Sequence, residues 1–112
     1  MTYSRGDVVI VPFMFTDKAV TKRRPAIIVS SEGYHSSRQE VIVAAVTSNL
    51  SRGTLVGDHS LRGWQEAGLP KPSMATGILR TLKQTMIIRK VGALTAGDMR
   101  AVSQALSLAL DL

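Results

Sequence analysis

The feature that most constrains the fold is a series of short apolar runs rich in β-branched residues, followed by one segment with helical spacing. Runs of this kind, bounded by glycine, proline and polar clusters, are typical of β-strands. We therefore expect a mainly β protein. The runs lie at residues 8–15, 25–29, 41–47, 73–82 and 86–91.

The run at 41–47 is the clearest of these predicted strands, and its apolar pattern stops where Thr47, Ser48 and Asn49 begin. In the run at 8–15 both alternating sets are apolar, which predicts that both faces are covered within the chain or that one of them faces a partner subunit. Pro12 lacks a backbone N–H, so we expect it at a sheet edge or a bulge.

Three polar segments separate the predicted strands. Residues 16–24 are predicted to form a cationic loop, and residues 30–40 a second loop that carries Tyr34 and His35. Residues 50–72 contain four glycines and few large apolar residues, which predicts a hairpin or an ordered excursion.

The last segment has the periodicity of an amphipathic helix. Thr95 and Asp98 resemble a capping box, in which a side-chain oxygen accepts a hydrogen bond from an early helix amide. One helix packed on the sheet follows, with a core face at helical spacing made of Met99, Val102, Leu106, Ala109 and Leu110.

Five to seven short strands closed by one helix suggest a small barrel, because closure removes exposed strand edges. A length of 112 residues fits one domain spanning 1–112. The longest early apolar run, at 8–15, is too short to cross a bilayer and does not have the layout of a signal peptide. We therefore expect a soluble, non-secreted protein without a membrane partner.

The chain is strongly basic, with 14 Lys and Arg against 8 Asp and Glu and a net charge of +6. Such an excess favours encounter with polyanions or with acidic protein segments. The sequence has no cysteine, which excludes disulfide scaffolds, zinc fingers and thiol catalysis, and which fits a reducing cytoplasm.

Common catalytic motifs are absent from the sequence. The two histidines, His35 and His59, do not have the spacing of a zinc site, and no phosphate-binding glycine loop or G-x-S-x-G elbow occurs. We therefore expect neither a metal nor a cofactor.

What remains is a set of cations and hydroxyl groups at strand ends. Lys22, Arg23 and Arg24 precede one predicted strand, while Thr47, Ser48 and Asn49 follow the apolar part of another. If those strands are antiparallel neighbours, the two ends meet at one edge of the sheet. Guanidinium and hydroxyl groups together can bind a phosphate, and arginine can stabilise the extra charge of a pentacoordinate phosphorus. The residues alone also allow a solvated loop at 22–24 and a turn hydroxyl at Thr47.

The joint pattern resembles the MazF/PemK family of toxins. The resemblance is carried by the matching order and spacing of motifs over nearly the whole chain. These are Arg5-Gly6-Asp7-Val8, Pro12-Phe13, Phe15-Thr16-Asp17, Lys22-x-Arg24-Pro25-Ala26 with Ser30 after its strand, Thr47-Ser48, the segment from Trp64 to Ser73, Ile78-Leu79-Arg80-Thr81-Leu82, and Gly92 to Leu94.

The resemblance implies an SH3-like barrel of the CcdB/MazF type with a C-terminal helix, and a homodimer. It also implies metal-independent cleavage of single-stranded RNA through a 2′,3′-cyclic phosphate, and a cognate antitoxin with an acidic C-terminal segment. Arg24 and Thr47 match the family's catalytic positions. The residues expected to bind RNA are Asp17, Lys22, Arg23, Ser48, Asn49 and Lys71.

The chain departs from the family pattern at two acidic positions. Many members carry a glutamate in the loop before the Arg-Pro pair, where this chain has Asp17, and an acid where it has Gly77. The general base is therefore unassigned, with Asp17 and His35 as candidates. The alternatives are a non-catalytic toxin of the same fold that inhibits a topoisomerase, a plain nucleic-acid binder, and a protein whose basic groove serves only an acidic partner.

Overall fold

The computed structural model describes residues 3–14 and 21–112. Six strands form one curled antiparallel sheet, a half-barrel, in the order β4-β5-β3-β2-β1-β6. A long C-terminal helix, α2, packs on one face, so the predicted fold class is confirmed. The elements are β1 Asp7–Met14, β2 Thr21–Ile28, α1 Glu32–Ser37, β3 Glu40–Thr47, β4 His59–Ser60, β5 Met74–Lys83, a 3₁₀ turn Gln84–Met86, β6 Arg89–Ala93 and α2 Ala96–Leu110.

Strand β1 is buried on both faces, which is one of the two arrangements that the doubly apolar pattern at 8–15 predicted. Val9, Val11 and Phe13 of β1 belong to one cluster, which also contains Ile28 and Val43. The alternate residues face a second cluster under α2, which contains Val8, Ile27, Val46, Ala75, Val102 and Leu106.

Several sequence-based boundaries were wrong. Thr21 to Arg24 were assigned to a loop, but they begin β2, because pairing with β1 continues through Met14↔Thr21. The loop at 30–40 contains the short helix α1, whose N-cap Ser31 accepts a hydrogen bond from the amide of Tyr34 at 3.2 Å. A helix of six residues is too short to reveal a 3.6-residue period.

Other local expectations are confirmed. Among the described residues, Pro12 of β1 pairs with β2 alone, since β6 pairs with Asp7–Ile10. Thr95 caps α2 and accepts a hydrogen bond from the amide of Asp98 at 3.2 Å. The predicted core face of α2 is wrong at its end, where Ala109 is exposed and Leu110 is 52% exposed. No helix in the described part of the chain is long and apolar enough to cross a membrane.

Candidate active site

A cleft of about 440 Å³ opens where the end of β3 lies beside β2, and we call it the strand-end cleft. It is lined from strands β1, β2, β3 and β5 and from loop residues at 48–52 and 69–73. Five site residues that were predicted from the sequence lie on its lining, together with one charged residue that was not predicted. They are Arg24, Thr47, Ser48, Asn49 and Lys71, with Arg52 as the addition.

Arg24 and Thr47 meet because β2 and β3 are antiparallel neighbours. The observed pairs Ala26↔Ala45 and Ile27↔Ala44 define the register. Continued by two residues, that register would bring Arg24 opposite Thr47, and both residues line the cleft. Arg24 is exposed and Thr47 is half-buried, so both can reach a ligand in the cleft. The predicted meeting of these two strand ends is confirmed.

The polar groups after β3 are ordered by short-range hydrogen bonds. The hydroxyl oxygen of Thr47 accepts from the amide of Asn49 at 3.1 Å, and Oδ1 of Asn49 accepts from the hydroxyl of Ser51 at 2.6 Å. The turn reading of Thr47 is therefore correct as a local description. It does not exclude a role in the cleft, because the hydroxyl proton of Thr47 is still available to donate.

Not all predicted RNA-binding residues reach the strand-end cleft. Lys22 and Arg23 are exposed on β2, opposite Phe13 and Pro12, and neither lines the cleft. Because neighbouring strand residues point to opposite faces, Lys22 shares the face of Arg24, whereas Arg23 points to the other face. Asp17 lies outside the described residues.

Arg52 is the cleft residue that the sequence did not reveal. Its Nη2 lies 3.1 Å from Oδ2 of Asp58, whose side chain is 3% exposed. Residues 50–58 contain no regular secondary structure, so their sequence has no apolar periodicity from which inward-pointing side chains could be predicted. The sequence offered one hint, an arginine at position 52 and an aspartate at position 58, and this spacing does not correspond to a known motif.

His35 is excluded by position as a group that acts in the cleft. The hydroxyl of Ser30 and Nε2 of His35 are hydrogen-bonded at 2.5 Å, just beyond the far end of β2. Six residues separate Arg24 from Ser30 along this extended segment, which at about 3.3 Å per residue is about 20 Å. Among the described residues that line the cleft, none is a carboxylate or an imidazole.

A buried carboxylate, Asp98, holds the chain segment that leads to the cleft wall. It accepts hydrogen bonds from Nε2 of His59 at 2.9 Å, the amide of Arg62 at 3.1 Å and the amide of Gly63 at 2.8 Å. Burial raises the pKa of Asp98, but these hydrogen bonds outweigh it and hold the pKa below the ordinary 3.8. His59 therefore has a structural partner.

The described residues contain no group of three or more His, Cys, Asp or Glu side chains that could hold a metal ion. The charged side chains that line the cleft are cationic, and they belong to Arg24, Arg52 and Lys71. A cleft with this lining is suited to an extended polyanion, whose phosphates arginine can bind through two N–H groups at once.

Comparisons with known proteins all point in one direction. A family model described as "PemK-like, MazF-like toxin of type II toxin-antitoxin system" matches residues 4–110. Endoribonuclease MazF6 of Mycobacterium tuberculosis is 35% identical over 94 residues, which cover 81% of each protein.

Solved structures share the fold. MazF from Deinococcus radiodurans superposes with a TM-score of 0.78 at 19% identity, covering 100% of this chain and 99% of that one. An endoribonuclease from a mycobacterial species, solved in complex with its cognate antitoxin, has a TM-score of 0.76 at 19% identity and covers 99% of this chain and 97% of its own.

Proposed function

Because the chain belongs to the family of PemK-like, MazF-like toxins of type II toxin–antitoxin systems, we infer that it is an endoribonuclease that cleaves single-stranded RNA. The observation that carries this inference is the meeting of Arg24 and Thr47 in one cationic cleft. A relative that covers 81% of this chain is named an endoribonuclease. The substrate class we propose is messenger RNA, cut at short sequences without a metal.

In the proposed reaction the 2′-hydroxyl of the RNA attacks the adjacent phosphorus, and the bond from phosphorus to the 5′ oxygen breaks. The leaving 5′ oxygen takes up a proton from water, so the products carry a 2′,3′-cyclic phosphate and a 5′-hydroxyl. Arg24 donates hydrogen bonds to the phosphoryl oxygens and stabilises the charge that develops on them. The guanidinium supplies this charge permanently, so the step needs no metal ion.

Thr47 positions the phosphate through its hydroxyl group, whose proton can be donated to a phosphoryl oxygen. Lys71, Ser48 and Asn49 bind neighbouring phosphates and sugars along the cleft. Lys22, Arg23 and Asp17 are proposed to contact RNA beyond it. Because the described cleft lining contains no carboxylate or imidazole, we propose that the proton of the 2′-hydroxyl passes to water or to Asp17.

The proposed partners follow from the same family. We propose a homodimer in the cytoplasm, built from a single domain over 1–112, and a cognate antitoxin whose acidic C-terminal segment occupies the cationic cleft. A related endoribonuclease was solved in complex with its cognate antitoxin. Carboxylates that pair with Arg24, Arg52 and Lys71 would compete directly with the phosphates of RNA.

The test is cleavage of a mixed-sequence RNA by the purified protein in EDTA. We expect sequence-restricted fragments with cyclic phosphate ends, and we expect Arg24→Ala to lower the rate by about 100-fold or more. Arg24→Lys should recover only part of this loss, because lysine keeps the charge and loses the fork of donors. Arg100→Ala is the matched control, since it removes an exposed arginine from α2 that does not line the cleft.

Uncut RNA, or cleavage that requires magnesium, would contradict the proposal. The absence of a carboxylate and an imidazole from the described cleft lining favours one alternative, a protein of the same fold that binds RNA without cutting it. That alternative predicts salt-sensitive RNA binding by the wild-type protein with no product under any condition.

A further inference from the structure

The loop at 50–58 is fastened to strand β5 at Gly77 through a buried carboxylate. Oδ1 of Asp58 accepts from the amide of Gly77 at 3.0 Å, and Oδ2 accepts from the amide of Leu55 at 2.9 Å. The second of these oxygens also pairs with Nη2 of Arg52 at 3.1 Å. One carboxylate therefore joins the loop backbone, the strand and the arginine.

The attachment leaves little room for a side chain on either side. A Cβ added to Gly77 would lie 3.2 Å from Cα of Gly57, and a Cβ added to Gly57 would lie 3.0 Å from Cα of Gly77. Gly57 also has a positive φ of 98°, which disfavours other residues. The missing side chain at position 77 thus has a structural consequence in this chain, because it allows the loop to approach.

The amide of Gly77 is available because β5 is irregular at this point. The pairing of β3 with β5 shifts between Ala44↔Leu79 and Val46↔Ala75, so three residues of β5 stand against one residue of β3. Such a bulge leaves backbone groups outside the ladder and bends the strand. The hydroxyl of Thr76 donates to the carbonyl of Ala45 at 2.7 Å, and the amide of Gly77 donates to Asp58.

Arg52 lines the strand-end cleft together with Arg24, Thr47 and Lys71, and Asp58 holds its guanidinium at Nη2. Its side chain is 32% exposed. Asp58 contacts one terminal nitrogen, while a guanidinium carries five N–H donors in a planar fork. The remaining donors can bind an anion, and the ion pair reduces the freedom that the side chain must lose on binding.

We propose that Arg52 binds a phosphate of the RNA next to the one held by Arg24, and that Asp58 and Gly77 act as positioning residues for it. This inference rests on the proposed function. It assigns to the loop at 50–58 a contribution to substrate binding, distinct from the stabilisation of the reacting phosphate by Arg24.

The experiment measures affinity for a mixed-sequence 2′-O-methyl RNA oligonucleotide, which binds but cannot react because its 2′ oxygens are blocked. Arg52→Ala should weaken binding by about tenfold or more, as expected for a lost charge-assisted contact. It should also reduce the slope of log K against log salt by about 0.7, the value for one phosphate contact on a single strand. Arg100→Ala, which removes the same charge on α2, is the matched control.

The Asp58→Asn variant distinguishes the orientation of Arg52 from the net charge of the protein as the cause of a change in RNA affinity. If only net charge mattered, removing an acid would tighten RNA binding, whereas the proposal predicts weaker binding because Arg52 loses its orientation. Gly77→Ala changes no charge and should weaken binding in the same way by displacing the loop. Thermal melts of each variant would identify any loss that comes from unfolding, and Arg52→Lys, at a solvent-accessible position, supplies a conservative comparison.

The inference fails if Arg52→Ala binds the oligonucleotide as Arg100→Ala does, or if Asp58→Asn binds it more tightly than wild type. If wild type cleaves RNA and Arg52→Ala matches it in both rate and affinity, only this inference is lost. If wild type neither binds nor cleaves RNA, the proposed function itself fails. Unchanged RNA affinity with weaker binding of an acidic peptide would overturn the inference and assign Arg52 to a protein partner.

Discussion

Replacing Asp98 by alanine should destabilise the protein strongly, although Asp98 does not line the strand-end cleft. Its side chain is 3% exposed and accepts three hydrogen bonds, two of them from the backbone amides of Arg62 and Gly63. Alanine provides no acceptor, so both amides and the imidazole of His59 lose their partner.

The size of the effect follows from those contacts. A buried donor left without an acceptor costs about 1–3 kcal/mol, so the loss of both amide partners costs about 2–6 kcal/mol. For a chain of 112 residues this corresponds to a fall in melting temperature of about 10 °C or more. The N-cap hydrogen bond to the hydroxyl of Thr95 remains, because its donor is the backbone amide of residue 98.

The assay is equilibrium unfolding in urea at one fixed protein concentration, since association would make stability depend on concentration. Glu66→Ala is the matched control, because it removes an exposed acid from the neighbouring segment. Asp98→Asn keeps the volume but places an amide donor where a carboxylate oxygen accepted, so a large loss there separates hydrogen bonding from packing. If Asp98→Ala changed the free energy of unfolding no more than Glu66→Ala does, the argument would be refuted.

The same carboxylate predicts a dependence on pH. The pKa of Asp98 is lower in the folded protein than its ordinary 3.8, because the hydrogen bonds from His59, Gly63 and Arg62 outweigh the cost of burial. A lowered folded pKa gives stability that is fully present above the unfolded value and is lost as pH falls through the folded one. Wild type should therefore lose stability below about pH 4, and Asp98→Ala should lose less over the same window.

Three further predictions concern the site and its support. His35→Gln should leave both the rate and the pH–rate profile of RNA cleavage unchanged, because the side chain is fixed at Ser30 at the other end of β2; a slower reaction would restore His35 as a candidate base. Lys71→Ala should reduce the slope of log K against log salt by about 0.7 in RNA-binding titrations, and an unchanged slope would remove Lys71 from the RNA contacts. Gly92→Ala should cost about 2 kcal/mol in urea unfolding, because a Cβ there would overlap the carbonyl of Ala67. Gly97→Ala, whose Cβ would meet nothing within 4 Å, is its control.

Arg24 and Thr47 could be predicted because their positions depend on strands. Once residues 25–29 and 41–47 are recognised as neighbouring antiparallel strands, the start of one must lie beside the end of the other. The regular backbone pairing of two antiparallel strands then determines which side chains lie on the same face of the sheet. The same logic explains why Lys22 and Arg23, adjacent in sequence, point to opposite faces of β2.

Arg52 could not be predicted because its position depends on a loop contact. The amide of Gly77 and the carboxylate of Asp58 are 19 residues apart, and this spacing does not predict that they form a hydrogen bond. In the sequence, Gly77 was noted only because many family members have an acid at this position. In the structure, the absence of a side chain at Gly77 allows Gly57 to approach closely. Helix α1 could not be predicted either, because six residues are too few to show the 3.6-residue periodicity of an amphipathic helix.

The two kinds of support predict two kinds of defect. Arg24 and Thr47 lie on strands, where the pairs Val11↔Arg24 and Thr47↔Met74 hold their backbone in position independently of the loops. Arg52 stands on a segment without regular structure that depends on one buried carboxylate, Asp58. Loss of that carboxylate should therefore raise the KM for RNA and leave the rate of the bound complex nearly intact, whereas Arg24→Ala should lower the rate of the bound complex itself.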